Sequence, residues 1–289
     1  MAEMLVIGGG LLGREVVRVA RDRFDTALTY NSKPLEIEGC TSFKMNIIED
    51  VGLIGSLSPE YIVLTAAMTN VDGCEIDREG AWETNALGPK NVAAAARDVG
   101  ARLIYISTDY VFDGLQGMYS EEDPVSPINY YGESKLAGER FVQEICQDCT
   151  IARTSVLYGW NPVRQNFITW AINEMRKGNR VNIVTDQYNT PTLASNLADQ
   201  LMGILDERGI FHTSGSERVS RYELTVKAAK AFGLDECLIN LISSDMLNWK
   251  AKRPMDSSLD VSKVSRFAKP LSVDEGLRVM AESEMKVIE

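Results

Sequence analysis

With 289 residues, 45% of them hydrophobic and 25% charged, the chain has the composition of a globular protein of one large domain or two unequal ones. The formal net charge of −11 and the pI of about 4.8 argue against a general nucleic-acid-binding protein, which needs a basic face. The N-terminus has no signal-peptide pattern, and no apolar stretch approaches the roughly 20 residues of a membrane span. Five scattered cysteines and a single histidine favour reduced thiols and no metal site. We therefore expect a cytoplasmic protein that binds neither nucleic acid nor membrane.

The first half of the chain alternates short apolar runs with segments of helical periodicity. The apolar runs predict strands at residues 4–7, 26–30, 61–64, 102–106 and 150–152. The periodic segments predict helices at 11–22, 48–57, 76–98 and 132–147. Gly88-Pro89 interrupts the third of these helices, so we expect a kink or break there. Strands that alternate with helices in this way are typical of an α/β fold with a doubly wound, parallel Rossmann sheet.

After about residue 155 the pattern is less regular. It predicts helices near 164–177, 193–206, 221–232 and 273–283, and short strands near 181–184 and 209–213. We expect residues 1–155 to form an NADP-binding Rossmann domain and residues 156–289 to form mainly a smaller C-terminal substrate-binding lobe. Part of 181–213 is expected to return to the Rossmann sheet.

A glycine-rich loop follows the first predicted strand. It contains G-x-G-x-x-G as Gly8, Gly10 and Gly13, with Leu11 and Leu12 between the last two glycines. Because the loop also opens an amphipathic helix, it has the context in which this motif binds a dinucleotide. Gly8 permits the tight turn, Gly10 lets a pyrophosphate approach the backbone, and Gly13 allows helix and strand to pack closely. The alternative is a structural tight turn.

The end of the second predicted strand lacks the acid that usually binds the adenosine ribose of NAD. Asn31, Ser32 and Lys33 stand there instead. A carboxylate would repel a 2′-phosphate, whereas an amide, a hydroxyl and an ammonium can accept one. The sequence therefore predicts NADP(H) rather than NAD(H). The alternative is that Lys33 is a solvated loop lysine.

Groups suited to proton transfer lie at a strand end and on a later helix. Thr108 and Asp109 follow the strand at 102–106, and Tyr131 and Lys135 are spaced to lie on one helical face. A nearby ammonium favours phenolate and lowers the tyrosine pKa, which suits Tyr131 to proton transfer. Because ligands of open α/β sheets bind at the carboxyl edge, we expect Thr108 and this pair to converge there. The alternative is an ordinary exposed helix face.

Several longer segments carry a resemblance to a known family. They are STDYVFDG (107–114), YGESK (131–135) with GE following, RTSVLYG (153–159), DQYNTPT (186–192) and RPMDSSLD (253–260). With these segments in this order, the chain resembles the extended short-chain dehydrogenase/reductases, and within them the dTDP-4-dehydrorhamnose reductase group. The resemblance implies NADPH-dependent reduction of the C4 ketone of a nucleotide-linked 4-keto-6-deoxysugar.

The resemblance also implies a role for individual residues. Thr108, Tyr131 and Lys135 would be the catalytic hydroxyl, acid and lysine, with Asp109 as an auxiliary group. Tyr131 would protonate the developing alkoxide, Thr108 would hydrogen-bond the same oxygen, and Lys135 would bind the nicotinamide ribose. Further cofactor contacts are expected from Asn46, Ala66, Ala67 and Met68, and substrate contacts from Gln187, Thr192 and Arg253. Simple loop, cap or surface roles are the alternatives for these seven residues.

Two other functions share most of these features. A regulatory protein similar to the beta subunit of methionine adenosyltransferase would keep the NADP site and act by binding a partner enzyme. An epimerase or dehydratase of sugar nucleotides would share the tyrosine–lysine pair, but it generally favours an acid after the second strand. The partner expected for the reductase is a nucleotide-sugar substrate, with a homodimer possible.

Overall fold

The structure is a computed structural model that describes residues 2–162 and 164–288, with side chains described as far as residue 284. The strands are, in chain order, β1 (Met4–Ile7), β2 (Thr26–Tyr30), β3 (Thr41–Lys44), β4 (Tyr61–Leu64), β5 (Arg102–Thr108), β6 (Cys149–Thr154), β7 (Leu157–Tyr158), β8 (Val181–Val184), β9 (Tyr188–Asn189), β10 (Thr192–Leu193), β11 (Gly209–His212), β12 (Val219–Ser220) and β13 (Ile239–Ile242). The α-helices are α1 (Leu11–Ala20), α2 (Gly52–Leu57), α3 (Val71–Ile76), α4 (Arg78–Trp82), α5 (Gly88–Val99), α6 (Tyr130–Ile145), α7 (Phe167–Arg176), α8 (Ala194–Gly203), α9 (Arg221–Ala231) and α10 (Val273–Ile288).

A parallel sheet forms the centre of the protein. Within the described residues it has seven strands in the order β11-β6-β5-β4-β1-β2-β3, and every neighbouring pair is parallel. Helices α1 and α8 cover one face, and α2, α5 and α6 cover the other. The predicted α/β fold with a doubly wound Rossmann sheet is confirmed. The edge strand β3 was not predicted, because its four residues are partly exposed and carry no apolar run.

The apolar patterns in the sequence account for how the helices pack on this sheet. On one face, Val16 of α1 and Leu197 of α8 are fully buried against the strands. On the other face, Val92 of α5 and Val142 of α6 are fully buried. Each such side chain stabilises the fold by about 1.5–3 kcal/mol relative to an exposed position. The packing fixes the helix that follows β1 and the helix that carries Tyr131 against the same sheet.

The predicted helix at 76–98 is divided differently from the expectation. Asn70 and Asp77 cap two short helices, α3 and α4, and a π-helical turn over Glu83–Leu87 leads into α5. Of the expected kink or break at Gly88-Pro89, a break is not found, since Gly88 keeps helical dihedral angles, and the irregularity in the helix is the π turn directly before it. The extra residue of the π turn places Pro89 in the first turn of α5, where its missing N–H costs no hydrogen bond.

The second half of the chain contributes one strand to the central sheet and a group of smaller elements. Strand β11 returns to the sheet edge beside β6. The pairs β8–β13, β9–β12 and β7–β10 lie outside it, and α7, α9 and α10 pack together around a separate apolar cluster. Among the residues that the structure describes, no helix has the length and apolarity needed to cross a membrane.

Candidate active site

A cavity of about 700 Å³ opens at the carboxyl edge of the central sheet. This volume is within the range of small-molecule and cofactor sites. The glycine loop, the segment after β4, the end of β5 and the start of α6 all contribute to its wall. The predicted site residues that line it are Gly8, Gly10, Leu11, Leu12, Gly13, Ala66, Ala67, Thr108, Asp109, Tyr131 and Lys135.

The glycine loop is closely packed at Gly8 and Gly13 and has open space next to Gly10. Gly8 has φ +111°, and the Thr65 hydroxyl donates to the Gly8 carbonyl at 2.9 Å. A Cβ on Gly13 would lie 1.8 Å from that same carbonyl oxygen, so only glycine fits there. A Cβ on Gly10 would meet no atom within 4 Å, because this position faces the cavity. The loop therefore presents bare backbone to a ligand at the start of α1, as a pyrophosphate requires.

The residues predicted to contact the adenosine end do not line this cavity. Asn31, Ser32 and Lys33 are exposed directly after β2, next to the strand that leads into the glycine loop. The Asn46 side chain accepts a hydrogen bond from the Ile48 backbone N–H at 3.0 Å, which is a local turn contact.

Met68 lies behind the cavity wall and is held by a buried asparagine. The Asn85 carboxamide accepts from the Met68 N–H at 2.9 Å and donates to the Met68 carbonyl at 3.0 Å. It also donates to the Ser134 hydroxyl on α6 at 3.1 Å. Asn85 thus fixes the segment that carries Ala66 and Ala67 relative to the helix that carries Tyr131.

Tyr131 and Thr108 lie together at the base of the cavity. Burial raises the pKa of Tyr131 well above its ordinary value, and the neighbouring Thr108 hydroxyl only partly counteracts this. The direction predicted from the sequence is wrong for this chain, because desolvation of the phenolate is the largest effect on Tyr131. The phenol is protonated at neutral pH, as a proton donor must be, but the raised pKa makes it a weaker acid than a free tyrosine.

Lys135 is buried below Tyr131 on the same face of α6. Its ammonium donates to the Ile106 carbonyl at 2.7 Å and lies 4.1 Å from the centre of the Tyr105 ring. Burial lowers the pKa of Lys135 to about 7, and Glu139 opposes this shift. The charged and the neutral form of Lys135 are therefore close in free energy near neutral pH.

Asp109 is the centre of a buried hydrogen-bond network. Thr108 donates to one carboxylate oxygen at 3.0 Å, and Ser155 donates to the other at 2.8 Å. Ser257, from the C-terminal segment, donates to that second oxygen at 2.5 Å. Burial raises the pKa of Asp109, while the three hydroxyls oppose the rise. The network joins the end of β5 to the segment after β6 and to the RPMDSSLD segment.

Of the residues predicted to contact substrate, Thr108 lines the cavity, whereas Gln187, Thr192 and Arg253 lie outside its lining. Thr192 is fully buried and donates to the Ser155 carbonyl at 2.6 Å. Gln187 is 5% exposed, and within the part of the chain that the structure describes its side-chain amide nitrogen has no hydrogen-bond partner. Arg253 forms an ion pair with Asp72 at 2.7 Å. Of the three, Thr192 and Arg253 therefore make contacts within the protein that can hold the fold together without a ligand.

Several groups around the cavity had no role assigned to them from the sequence. The Ser107 hydroxyl is buried at the wall and has no hydrogen-bond partner among the described residues. Val156 lines the cavity with φ +39°, a strained conformation for a β-branched residue. Arg221 is close enough to Asp109 and Tyr110 to affect their pKa values. Further wall residues come from the segment before α7 and are Asn161, Arg164, Gln165, Asn166 and Phe167. They follow the RTSVLYG segment closely, but their residue types match no spacing rule for a ligand site, so the sequence did not reveal them.

The chain is similar to proteins with several different names. Residues 2–283 match the family described as RmlD substrate binding domain. A probable low-salt glycan biosynthesis reductase, Agl14, of Haloferax volcanii is 34% identical over 265 residues, which cover 88% of each chain. The methionine adenosyltransferase 2 subunit beta of Danio rerio is 32% identical over 277 residues, which cover 90% of this chain and 83% of that one. A dTDP-4-dehydrorhamnose reductase from Bacillus anthracis, solved in complex with NADP, matches with a TM-score of 0.85 and 30% identity over 98% of this chain and 100% of that one.

Proposed function

The chain belongs to the RmlD substrate binding domain family, and from this premise we propose that it reduces the C4 ketone of a nucleotide-linked 4-keto-6-deoxysugar with NADPH. The resemblance to the dTDP-4-dehydrorhamnose reductase group, predicted from the sequence motifs, is confirmed by this match and by the fold. One observation carries the proposal: Thr108, Tyr131 and Lys135 meet at a cavity that the glycine loop also lines.

The chain is an NADP-dependent oxidoreductase of this family. When bound, the cofactor supplies the hydride for reduction. The open backbone at Gly10 fits a diphosphate, because a side chain there would fill the space that the ligand needs. We assign the 2′-phosphate to Asn31, Ser32 and Lys33, which lie exposed beyond β2. Lys135 would hold the hydroxyls of the nicotinamide ribose.

Tyr131 is the proton donor in this proposal. Negative charge develops on the C4 oxygen as hydride arrives at the carbon, and a preorganised phenol there lowers the barrier. The Tyr131 phenol is protonated before that charge appears, and because burial raises its pKa, proton transfer needs stabilisation of the phenolate that it leaves. A charged Lys135 nearby then stabilises the phenolate that remains.

Thr108 and Asp109 together orient the phenol of Tyr131. The Thr108 hydroxyl donates its only proton to Asp109 and accepts from the Tyr110 backbone N–H at 3.2 Å, which leaves one lone pair to accept from the Tyr131 phenol. For Thr108 to donate to the substrate oxygen, as the resemblance implies, it must turn that proton away from Asp109.

We assign the sugar nucleotide to the part of the site bordered by the C-terminal elements. Gln187 offers a buried amide nitrogen without a partner, and such a group is costly unless a ligand satisfies it. The forked N–H donors of Arg253 suit phosphate oxygens. To bind a phosphate, the guanidinium would have to divide its donors between the phosphate and the Asp72 carboxylate, or break its ion pair with Asp72. Thr192 would act indirectly, by fixing the backbone at Ser155.

The direct test is turnover. Purified protein is incubated with NADPH and dTDP-4-keto-6-deoxysugars while NADPH absorbance is followed. We expect oxidation that depends on the sugar and a loss of about 10²–10⁴-fold in kcat/KM for Tyr131→Phe. Tyr130→Phe is the matched control, because this neighbouring phenol does not line the cavity, and it should keep wild-type activity. No oxidation with any such sugar would refute the proposal.

A second function is favoured by the similarity to the methionine adenosyltransferase 2 subunit beta. In that case the cavity would bind NADP and the protein would act by binding a partner enzyme. Stoichiometric capture of a methionine adenosyltransferase catalytic subunit, together with no turnover of any nucleotide ketosugar, would favour this function over the reductase.

A further inference from the structure

One face of α6 carries a tyrosine, a lysine and a glutamate at successive turns. Tyr131, Lys135 and Glu139 are each four residues apart, so they lie along one side of the helix. The first two line the cavity, while Glu139 is 1% exposed and lies one turn deeper. The mechanism above gives Glu139 no role, although a buried carboxylate is costly and needs a reason.

Glu139 is held by a two-pronged ion pair with Arg153 on β6. The guanidinium donates to both carboxylate oxygens, at 2.9 and 2.7 Å. Both side chains are almost fully buried, and Arg153 also lies over the Phe112 ring with 5.3 Å to its centre. Such geometry fixes the position of the carboxylate in the core.

The Lys135 ammonium lies among groups of both signs. The titratable and charged groups around it are Tyr131 and Glu139 on its own helix, Tyr105 on β5, Cys74 on α3 and, beyond Glu139, Arg153 on β6. The Ile106 carbonyl accepts a hydrogen bond from it, but a neutral acceptor alone does not offset burial of the charge. Glu139 is the carboxylate whose charge favours the ammonium form, while burial opposes it.

We propose that Glu139 is a positioning residue, fixed by Arg153, that keeps Lys135 charged so that it can bind the cofactor ribose and support Tyr131. This inference rests on the proposed function. The structural alternative is that the Glu139–Arg153 pair only joins α6 to β6. The two differ because an electrostatic role depends on the carboxylate charge, whereas a structural role depends on the hydrogen bonds.

The test is the pH dependence of the NADPH dissociation constant, measured by nicotinamide fluorescence between about pH 6 and 9. Wild-type affinity should weaken on the alkaline side as Lys135 loses its proton. Glu139→Gln should move this weakening to lower pH by about one unit, so that affinity near pH 8 falls about tenfold. Glu139→Asp and Arg153→Lys keep the charges but disturb the fork, so they should lower the melting temperature without moving the profile. The control is Glu144→Gln, which removes an exposed carboxylate from the same helix. Its pH profile and its melting temperature should both match those of wild type.

The outcomes separate the two roles. A Glu139→Gln profile that coincides with wild type, or a wild-type profile without an alkaline weakening, overturns the proposal. An equal shift in Arg153→Lys and Glu139→Asp also overturns it, because the hydrogen bonds and not the charge would then be responsible. The measurement needs no sugar substrate, so failure of ketosugar turnover would contradict the proposed function while leaving this result interpretable.

Discussion

Gly10→Ala should separate cofactor binding from folding. In the structure, a Cβ at this position meets no atom within 4 Å, and the backbone has φ −70°, which alanine adopts without strain. The cost to the fold is then mainly the loss of a favourable N-cap residue, about 0.5–1 kcal/mol, or a few degrees in melting temperature. The added methyl group occupies the space where a diphosphate would approach the backbone. We expect NADPH affinity to fall at least tenfold, which is about 1.4 kcal/mol.

The matched comparison is Gly13→Ala. Its Cβ would lie 1.8 Å from the Gly8 carbonyl oxygen, so the loop or α1 must move by more than about 1 Å to reach an ordinary contact distance. This variant should lose both stability and NADPH binding. The assay is a nicotinamide fluorescence titration beside a thermal melt for each variant. If Gly10→Ala binds NADPH within about twofold of wild type, the cofactor backbone does not lie where we place it.

Three further predictions follow from the site. Thr108→Ser should retain most of kcat/KM, whereas Thr108→Ala should lose about 10–100-fold, because the hydroxyl links Tyr131 to Asp109. Lys33→Glu should lower the NADPH-to-NADH ratio of kcat/KM about tenfold or more, because a carboxylate repels the 2′-phosphate. Burial lowers the pKa of Lys135 to about 7, below its unfolded value, so the native state should gain stability as pH rises from about 7 to 10. Denaturant titrations across this range should show that dependence in wild type and not in Lys135→Met.

Local signals in the sequence predicted the central sheet well. Apolar runs bounded by polar residues predicted β1, β2 and β4 with the bounds that the structure has. The glycine spacing and its position after an apolar run predicted a loop that the structure opens toward the cavity. These features depend on neighbouring residues, so a single sequence contains the information that they require.

Features that depend on distant segments could not be predicted in this way. Ser155 and Ser257 reach Asp109 from 46 and 148 residues away, and no spacing rule connects them. The direction of the Tyr131 pKa also depends on burial by the whole fold, which spacing on one helix does not reveal. The sequence therefore predicted which chemical groups would be present better than it predicted their electrostatic state.

The most direct test of the central claim follows the hydride itself. NADPH that carries deuterium at C4 of the nicotinamide is supplied with a dTDP-4-keto-6-deoxysugar, and the product is analysed by NMR and mass spectrometry. Our account predicts one deuterium at C4 of the sugar, delivered from one face of the nicotinamide only. A reduced sugar without deuterium at C4, or NADPH oxidation that leaves the sugar unreduced, would contradict it.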